Sequence, residues 1–246
     1  MHISIELIPR DLDGFREELQ TIKTRHTPID TVNVPDLMRL SVRSWEGTAA
    51  AKSFYERAIP HIRAIDFDLR EPFKLGSELV DKQLTEILVV AGDPPTDMMR
   101  KVYPTKTAEL IRKVKQEYPQ LKVYAAIDPY RSSIREEIGY VGEKLEAGAD
   151  GFFTQPFLDV RLMEVYAELL PGCEIYWGVS PVMTDASRGY WETKNNAVFP
   201  GNFKPTLDWN VDFARRAIDC AGTVGGHIYL MPIKVDLEAY LSGIFN

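Results

Sequence analysis

Cysteine is almost absent: Cys173 and Cys220 are the two in 246 residues. Two such separated thiols supply neither a disulfide framework nor a zinc site, and a reducing, cytoplasmic setting is expected. Histidine is sparse as well. His2, His26, His61 and His227 show neither an HxH nor an HExxH spacing, so no metal site is expected. Positive charge is in deficit, with 29 Lys and Arg against 36 Asp and Glu and a net charge of −7. That balance argues against a nucleic-acid partner, whose phosphates require a cationic face. Long apolar runs are missing too. No stretch approaches the ~20 residues that span a bilayer, and no basic amphipathic segment suits a membrane surface. The opening Met1-His2-Ile3-Ser4-Ile5-Glu6 carries no charged leader with an apolar centre, so no signal peptide is expected. There is neither a P-loop nor a GxSxG elbow.

What is present is a repeating alternation. With 45% hydrophobic and 26% charged residues, the chain has the balance of a soluble globular protein and the length to bury a core. Eight short β-like runs stand at 3–7, 31–34, 61–67, 86–91, 122–127, 151–155, 174–179 and 227–231. They are rich in Val, Ile, Tyr and Phe and end near Pro, Gly or Asp. Helical stripes lie between them. Leu12, Phe15, Leu19 and Ile22 follow a capping Asp11; Leu110, Ile111, Val114 and Tyr118 end at Pro119; Leu162, Met163, Val165, Tyr166 and Leu169 follow Asp159. Strand–helix alternation implies parallel strands with right-handed crossovers. Eight such units give an α/β fold, a single (β/α)8 TIM-type barrel forming one domain over residues 1–246. A doubly wound open sheet is the alternative, but its first strand would run into a glycine fingerprint rather than Ile8-Pro9-Arg10. Residues 183–205 read as a long functional or mobile loop.

In a parallel barrel, active groups gather where strands end. Side chains alternate along the first run, so Ser4 and Glu6 share a face opposite Ile3, Ile5 and Leu7. Glu6 is then expected to point into the barrel mouth, where lost hydration would raise its pKa and suit it to general-acid work. A structural pairing with Lys or Arg is the other reading. Ala91-Gly92-Asp93-Pro94-Pro95 ends the fourth run, making Asp93 either a mouth carboxylate or part of an ordinary turn. Gln155, before Pro156, can donate to and accept from a heterocycle edge, or be a buried amide satisfied by backbone. Tyr190, Trp191 and Phe199 either stack on a ligand or anchor their loop.

These sites together resemble the methylenetetrahydrofolate reductase family. Ser4-Ile5-Glu6-Leu7-Ile8-Pro9 is similar to its Ser-Phe-Glu-Phe-Phe-Pro strand, and Val90-Ala91-Gly92-Asp93-Pro94-Pro95 to its Leu-Arg-Gly-Asp turn. Glu146-Ala147-Gly148-Ala149-Asp150, followed by Thr154-Gln155-Pro156-Phe157 and Asp159, resembles its AGA(D/N)…TQ…FD stretch, and Gly178-Val179-Ser180-Pro181-Val182 its Gly-Ile-Leu-Pro-Val. The resemblance implies a (β/α)8 barrel in which FAD passes hydride from NADH or NADPH to the folate substrate 5,10-methylenetetrahydrofolate, a step of one-carbon metabolism that serves either methionine biosynthesis or one-carbon catabolism. It implies Glu6 as general acid, Asp93 as stabiliser of the iminium cation and flavin partner, and Gln155 as pterin ligand. His61, Gly92, Ala125 and Lys144 fall at flavin-contact positions; Arg131 is a candidate counter-charge for the cofactor, and Lys234 lies one residue from the family's substrate-side arginine. The departures are Ala91 for an arginine, Ile127 for a tyrosine, no histidine in Asp128-Pro129-Tyr130-Arg131, and Val32-Asn33-Val34-Pro35-Asp36 for a threonine- and glycine-rich turn. They leave a flavin-independent reductase and a redox-inactive folate-binding barrel as alternatives. A homo-oligomer is left open, as is the choice of nicotinamide.

Overall fold

The computed structural model describes residues 1–95 and 101–246. Its strands are β1 (Ile3–Glu6), β2 (Thr31–Val34), β3 (Arg57–Arg63), β4 (Glu86–Val90), β5 (Lys122–Ile127), β6 (Gly151–Pro156), β7 (Ile175–Val179) and β8 (His227–Leu230). They form a closed barrel in chain order. Closure is direct: Ser4 is in register with Thr31 on one side and Tyr229 on the other, both parallel. The helices are α1 (Leu12–Arg25), α2 (Ser44–Ala51), α3 (Leu75–Asp81), α4 (Thr107–Glu117), α5 (Ile134–Glu146), α6 (Val160–Leu169), α7 (Asp185–Lys194), α8 (Leu207–Val224) and α9 (Leu237–Phe245). Among the described residues, no helix is long and apolar enough to cross a membrane.

Period-two alternation divides each strand between two cores. Ile5, Val32, Val89, Val123 and Ala125 face outward and pack with helix residues such as Phe15, Leu19 and Ile22 of α1. Asp11 caps that helix by accepting from the Gly14 amide at 2.8 Å. Inside the barrel, Ile59, Leu88, Tyr124, Phe153, Tyr176, Tyr229 and Met231 form a separate cluster. Phe153 stacks on Tyr176 with ring centres 4.2 Å apart. Polar groups close the N-terminal end. Arg57 pairs with Glu86 at 3.1 Å and donates to the hydroxyls of Tyr176 at 2.5 Å and Tyr124 at 3.0 Å. Lys122 lies 2.8 Å from Glu174. An interior filled at mid-height and tied at the bottom leaves chemistry to the C-terminal mouth.

Four strands, β1, β4, β7 and β8, are one residue shorter than expected, and three further differences stand out. The third strand runs over Arg57–Arg63 rather than 61–67, because Ala64–Asp66 turn into a 3-10 helix. Pro156 extends the sixth ladder, opposite Gly178, instead of stopping it. The segment 183–205 contains α7, capped by Thr184, whose hydroxyl accepts from the Ser187 amide at 3.0 Å.

Candidate active site

Glu6, at the last position of β1, lines a cavity of about 910 Å³ at the C-terminal mouth, as its alternation required. Tyr229 of β8 donates its hydroxyl to Glu6 Oε2. His61 of β3 brings its Nε2 to 4.0 Å from the same oxygen and 3.5 Å from the Tyr229 hydroxyl. Burial raises the Glu6 carboxyl from 4.5 to about 7, although the Tyr229 hydrogen bond pulls the other way. Burial also drives the His61 imidazole down to about 3, so it stands neutral. Tyr229 is held well above the ordinary tyrosine value by burial and by the neighbouring Glu6 charge. The cluster therefore presents one protonatable carboxyl against two neutral partners.

Across the mouth, β4 ends in the turn that carries Asp93. Gly92 adopts φ +86, and a Cβ there would come within 3.0 Å of Arg63 Cβ and Ile65 Cγ1. Glycine is what keeps this backbone open and close to the cavity. Arg63 reaches over from β3 and donates through Nη2 to the Asp93 carbonyl at 2.7 Å. The Asp93 side chain is left exposed on the cavity rim.

Gln155 is aimed by an irregularity. The register of β6 against β7 shifts between Phe153 and Pro156. Thr154 Oγ1 fills the gap, accepting from the Gly178 amide and donating to the Gln155 carbonyl, each at 2.8 Å. A Cβ on Gly178 would lie 2.4 Å from the Thr154 carbonyl oxygen, so the close approach needs glycine. The Gln155 side chain then opens into the cavity.

The β5 side supplies paired charge. Lys144 of α5 donates to the Ala126 carbonyl at 2.6 Å and sits 3.8 Å from Glu137, which is fully buried. Arg131 approaches Glu137 at 2.5 Å. Burial lowers the Lys144 amine and raises the neighbouring Asp128 carboxyl. Arg131, Lys144 and Asp128 all line the cavity.

Two expected positions are not brought to the mouth. The Ala125 side chain lies in the outward core; strand alternation presents Ala126 to the cavity instead. Lys234 follows β8 at φ +52, exposed and outside the cavity lining. Conversely, sequence reading passed over Asn33, Arg63 and Tyr229. Arg63 was signalled by its two-residue spacing from His61, and Tyr229 by its place at the end of the last run. Among the described residues, no group of three His, Cys, Asp or Glu side chains is arranged to hold a metal ion.

Comparison with known proteins follows the same outline. The family model described as methylenetetrahydrofolate reductase matches residues 25–212. Asp93, Lys144 and Gln155 lie within that match; Glu6 and Tyr229 lie outside it. Among solved structures, an uncharacterised Clostridium thermocellum protein that binds two copies of 5-methyl-5,6,7,8-tetrahydrofolic acid is 13% identical, with a TM-score of 0.63, covering 99% of this chain and 94% of that one. A 2,3-dimethylmalate lyase is 10% identical at a TM-score of 0.61, covering 95% and 75%. An oxaloacetate acetylhydrolase is 11% identical at 0.60, covering 98% and 76%. At such identities the likeness to these structures is one of fold.

Proposed function

The chain belongs to the methylenetetrahydrofolate reductase family, and on that premise we propose that it reduces 5,10-methylenetetrahydrofolate to 5-methyltetrahydrofolate with NADH or NADPH. The observation that carries this reading is Glu6: a carboxyl raised to about 7, held by Tyr229 at the wall of a ligand-sized cavity. A group that is half protonated near neutrality suits proton donation there. Glu6 delivers its proton to N10 as the bond from N10 to the bridging carbon breaks, leaving an N5 iminium. Hydride then adds to the bridging carbon and completes the methyl group. Asp93, on the rim, supplies fixed negative charge to the cation. Gln155 pairs with the pterin edge through its amide. The Clostridium thermocellum protein of the same fold, which binds 5-methyl-5,6,7,8-tetrahydrofolic acid, adds support for a folate ligand.

The cavity residues fit a flavin. Gly92 keeps a side-chain-free stretch beside the mouth, and Arg131 and Lys144, which share the Glu137 carboxylate, would be the cations available to an anionic cofactor. His61 lines the same wall. When bound, FAD would relay hydride from the nicotinamide to the folate. A flavin-independent reductase is the second reading, favoured by Ala91 in place of the family's arginine and by the outward placement of Ala125. An absorbance spectrum of the gently purified protein separates the two. As one domain in the cytoplasm, the enzyme would need neither a membrane nor a nucleic acid.

Replacing Glu6 tests the assignment. Glu6→Gln is expected to abolish folate reduction while leaving flavin reduction by NAD(P)H intact. Equal loss of both half-reactions would remove Glu6 from the acid role. Tight folate binding by the wild type without turnover would instead support a redox-inactive barrel.

A further inference from the structure

Asn33 is fully buried on β2, in register with Glu6. Ser4 Oγ donates to its Oδ1 at 2.8 Å, which turns the amide nitrogen toward β3. There Asn33 Nδ2 lies 3.4 Å from His61 Nε2. A neutral imidazole has one bare nitrogen with one lone pair, and its other nitrogen carries the proton. An amide N–H facing Nε2 therefore selects the tautomer protonated at Nδ1 and occupies the Nε2 lone pair.

The consequence falls on Tyr229. Its single hydroxyl proton has two acceptors in reach, Glu6 Oε2 and His61 Nε2. With Nε2 already capped, the proton goes to Oε2. An oxygen that accepts a hydrogen bond in this way is the poorer place for the acid's own proton, which is left to Oε1. We infer that Asn33 is a positioning residue: by capping His61 Nε2 it commits the Tyr229 proton to one oxygen of Glu6 and leaves the transferable proton on the other. The inference rests on Glu6 as the acid of the proposed reaction. It gives a role to a buried carboxamide that shares the inward face of β2 with Thr31, beside a histidine that burial already keeps neutral.

The tautomer can be read directly. In protein labelled with 15N at histidine, the His61 signals (identified by their loss in His61→Gln) are expected to show Nδ1 protonated and Nε2 bare. A protonated Nε2 would overturn the inference, because the amide would then have to accept. This measurement needs no turnover. A protein that shows the expected tautomer but reduces no folate would remove the reading of Glu6 as acid and leave the Asn33 assignment standing. In the second arm, Asn33→Leu frees Nε2 to compete for the Tyr229 proton. The alkaline limb of kcat/KM is expected to rise by about one pH unit, as the ionised carboxylate loses a hydrogen bond, with the KM for nicotinamide unchanged. Other charged groups lining the cavity, Asp36, Arg39, Arg63, Asp93, Asp128, Arg131 and Lys144, are unaltered in this variant and serve as a constant background. A folded Asn33→Leu protein with an unmoved limb would refute the role.

Discussion

Removing the Tyr229 hydroxyl separates the two forces on Glu6. Burial, net of the Tyr229 bond, moves the carboxyl from 4.5 to about 7, which corresponds to about 3 kcal/mol against the charged form. The Tyr229 hydrogen bond acts in the opposite direction by favouring the carboxylate. A hydrogen bond to a charged group contributes about 1.5–3 kcal/mol, so Tyr229→Phe should raise the Glu6 carboxyl by about one to two further pH units. In the wild type, kcat/KM for the folate is expected to fall as pH rises through about 7, where the acid form is lost. In Tyr229→Phe the fall should begin at higher pH. Stability should follow the same group. The folded protein binds the Glu6 proton more tightly than the unfolded chain does. That contribution is fully present below 4.5 and is lost as pH rises through about 7. Parallel pH series of kcat/KM and of thermal unfolding, for wild type and Tyr229→Phe, test both statements. An alkaline limb that moves to lower pH, or that stays in place in a folded variant, would refute the account of what sets the proton affinity of Glu6.

Two further substitutions probe the opposite walls. Gly92→Ala places a Cβ at φ +86, against Arg63 and Ile65; a stability loss of about 1–3 kcal/mol is expected in a denaturant titration, and, on the flavin-dependent reading, weaker flavin retention on gel filtration. Glu137→Leu removes the buried carboxylate that faces both Lys144 and Arg131. Stranding the Lys144 amine should cost about 3–5 kcal/mol in the same titration, and a loss below 1 kcal/mol would show that the pair is not held as drawn.

The barrel itself was legible because each of its units carries a local signal. The second and fifth strands fall at 31–34 and 122–127 as read, since their apolar runs have turn residues at both ends. The third was displaced because Arg57 and Pro60 look like boundary residues; a missing proline N–H usually marks an edge, yet here Pro60 sits in register with Val34. α7 escaped notice for a different reason. None of its residues is buried, so it has no apolar stripe for periodicity to detect. Within the site, Glu6, Asp93 and Gln155 were readable at strand ends. The tie from Glu6 to Tyr229 spans nearly the whole chain and exists only because β1 pairs with β8. Asn33 and His61 lie beside that tie on two more strands, so no sequence window contains the group of side chains around Glu6.

Closure also changes the meaning of two departures from the family pattern. Ile127 stands where the family has a tyrosine, but its side chain belongs to the outward core, packed with helices rather than facing the cavity. Its replacement therefore removes no polar group from the cavity lining. Ala91 is different, since it does line the cavity and brings no charge. A guanidinium nevertheless reaches the same turn. Arg63, in register with Val90 on the neighbouring strand, donates to the carbonyl of Asp93 and shares the mouth wall with it. Its backbone lies one strand over, in register with residue 90 rather than 91. Arg63 Nε also lies 3.3 Å from Asp66, so this guanidinium is tied to a carboxylate of its own as well as to the turn. The Asp93 turn is thus held by an arginine of the adjacent strand, while position 91 itself brings no charge to the cavity.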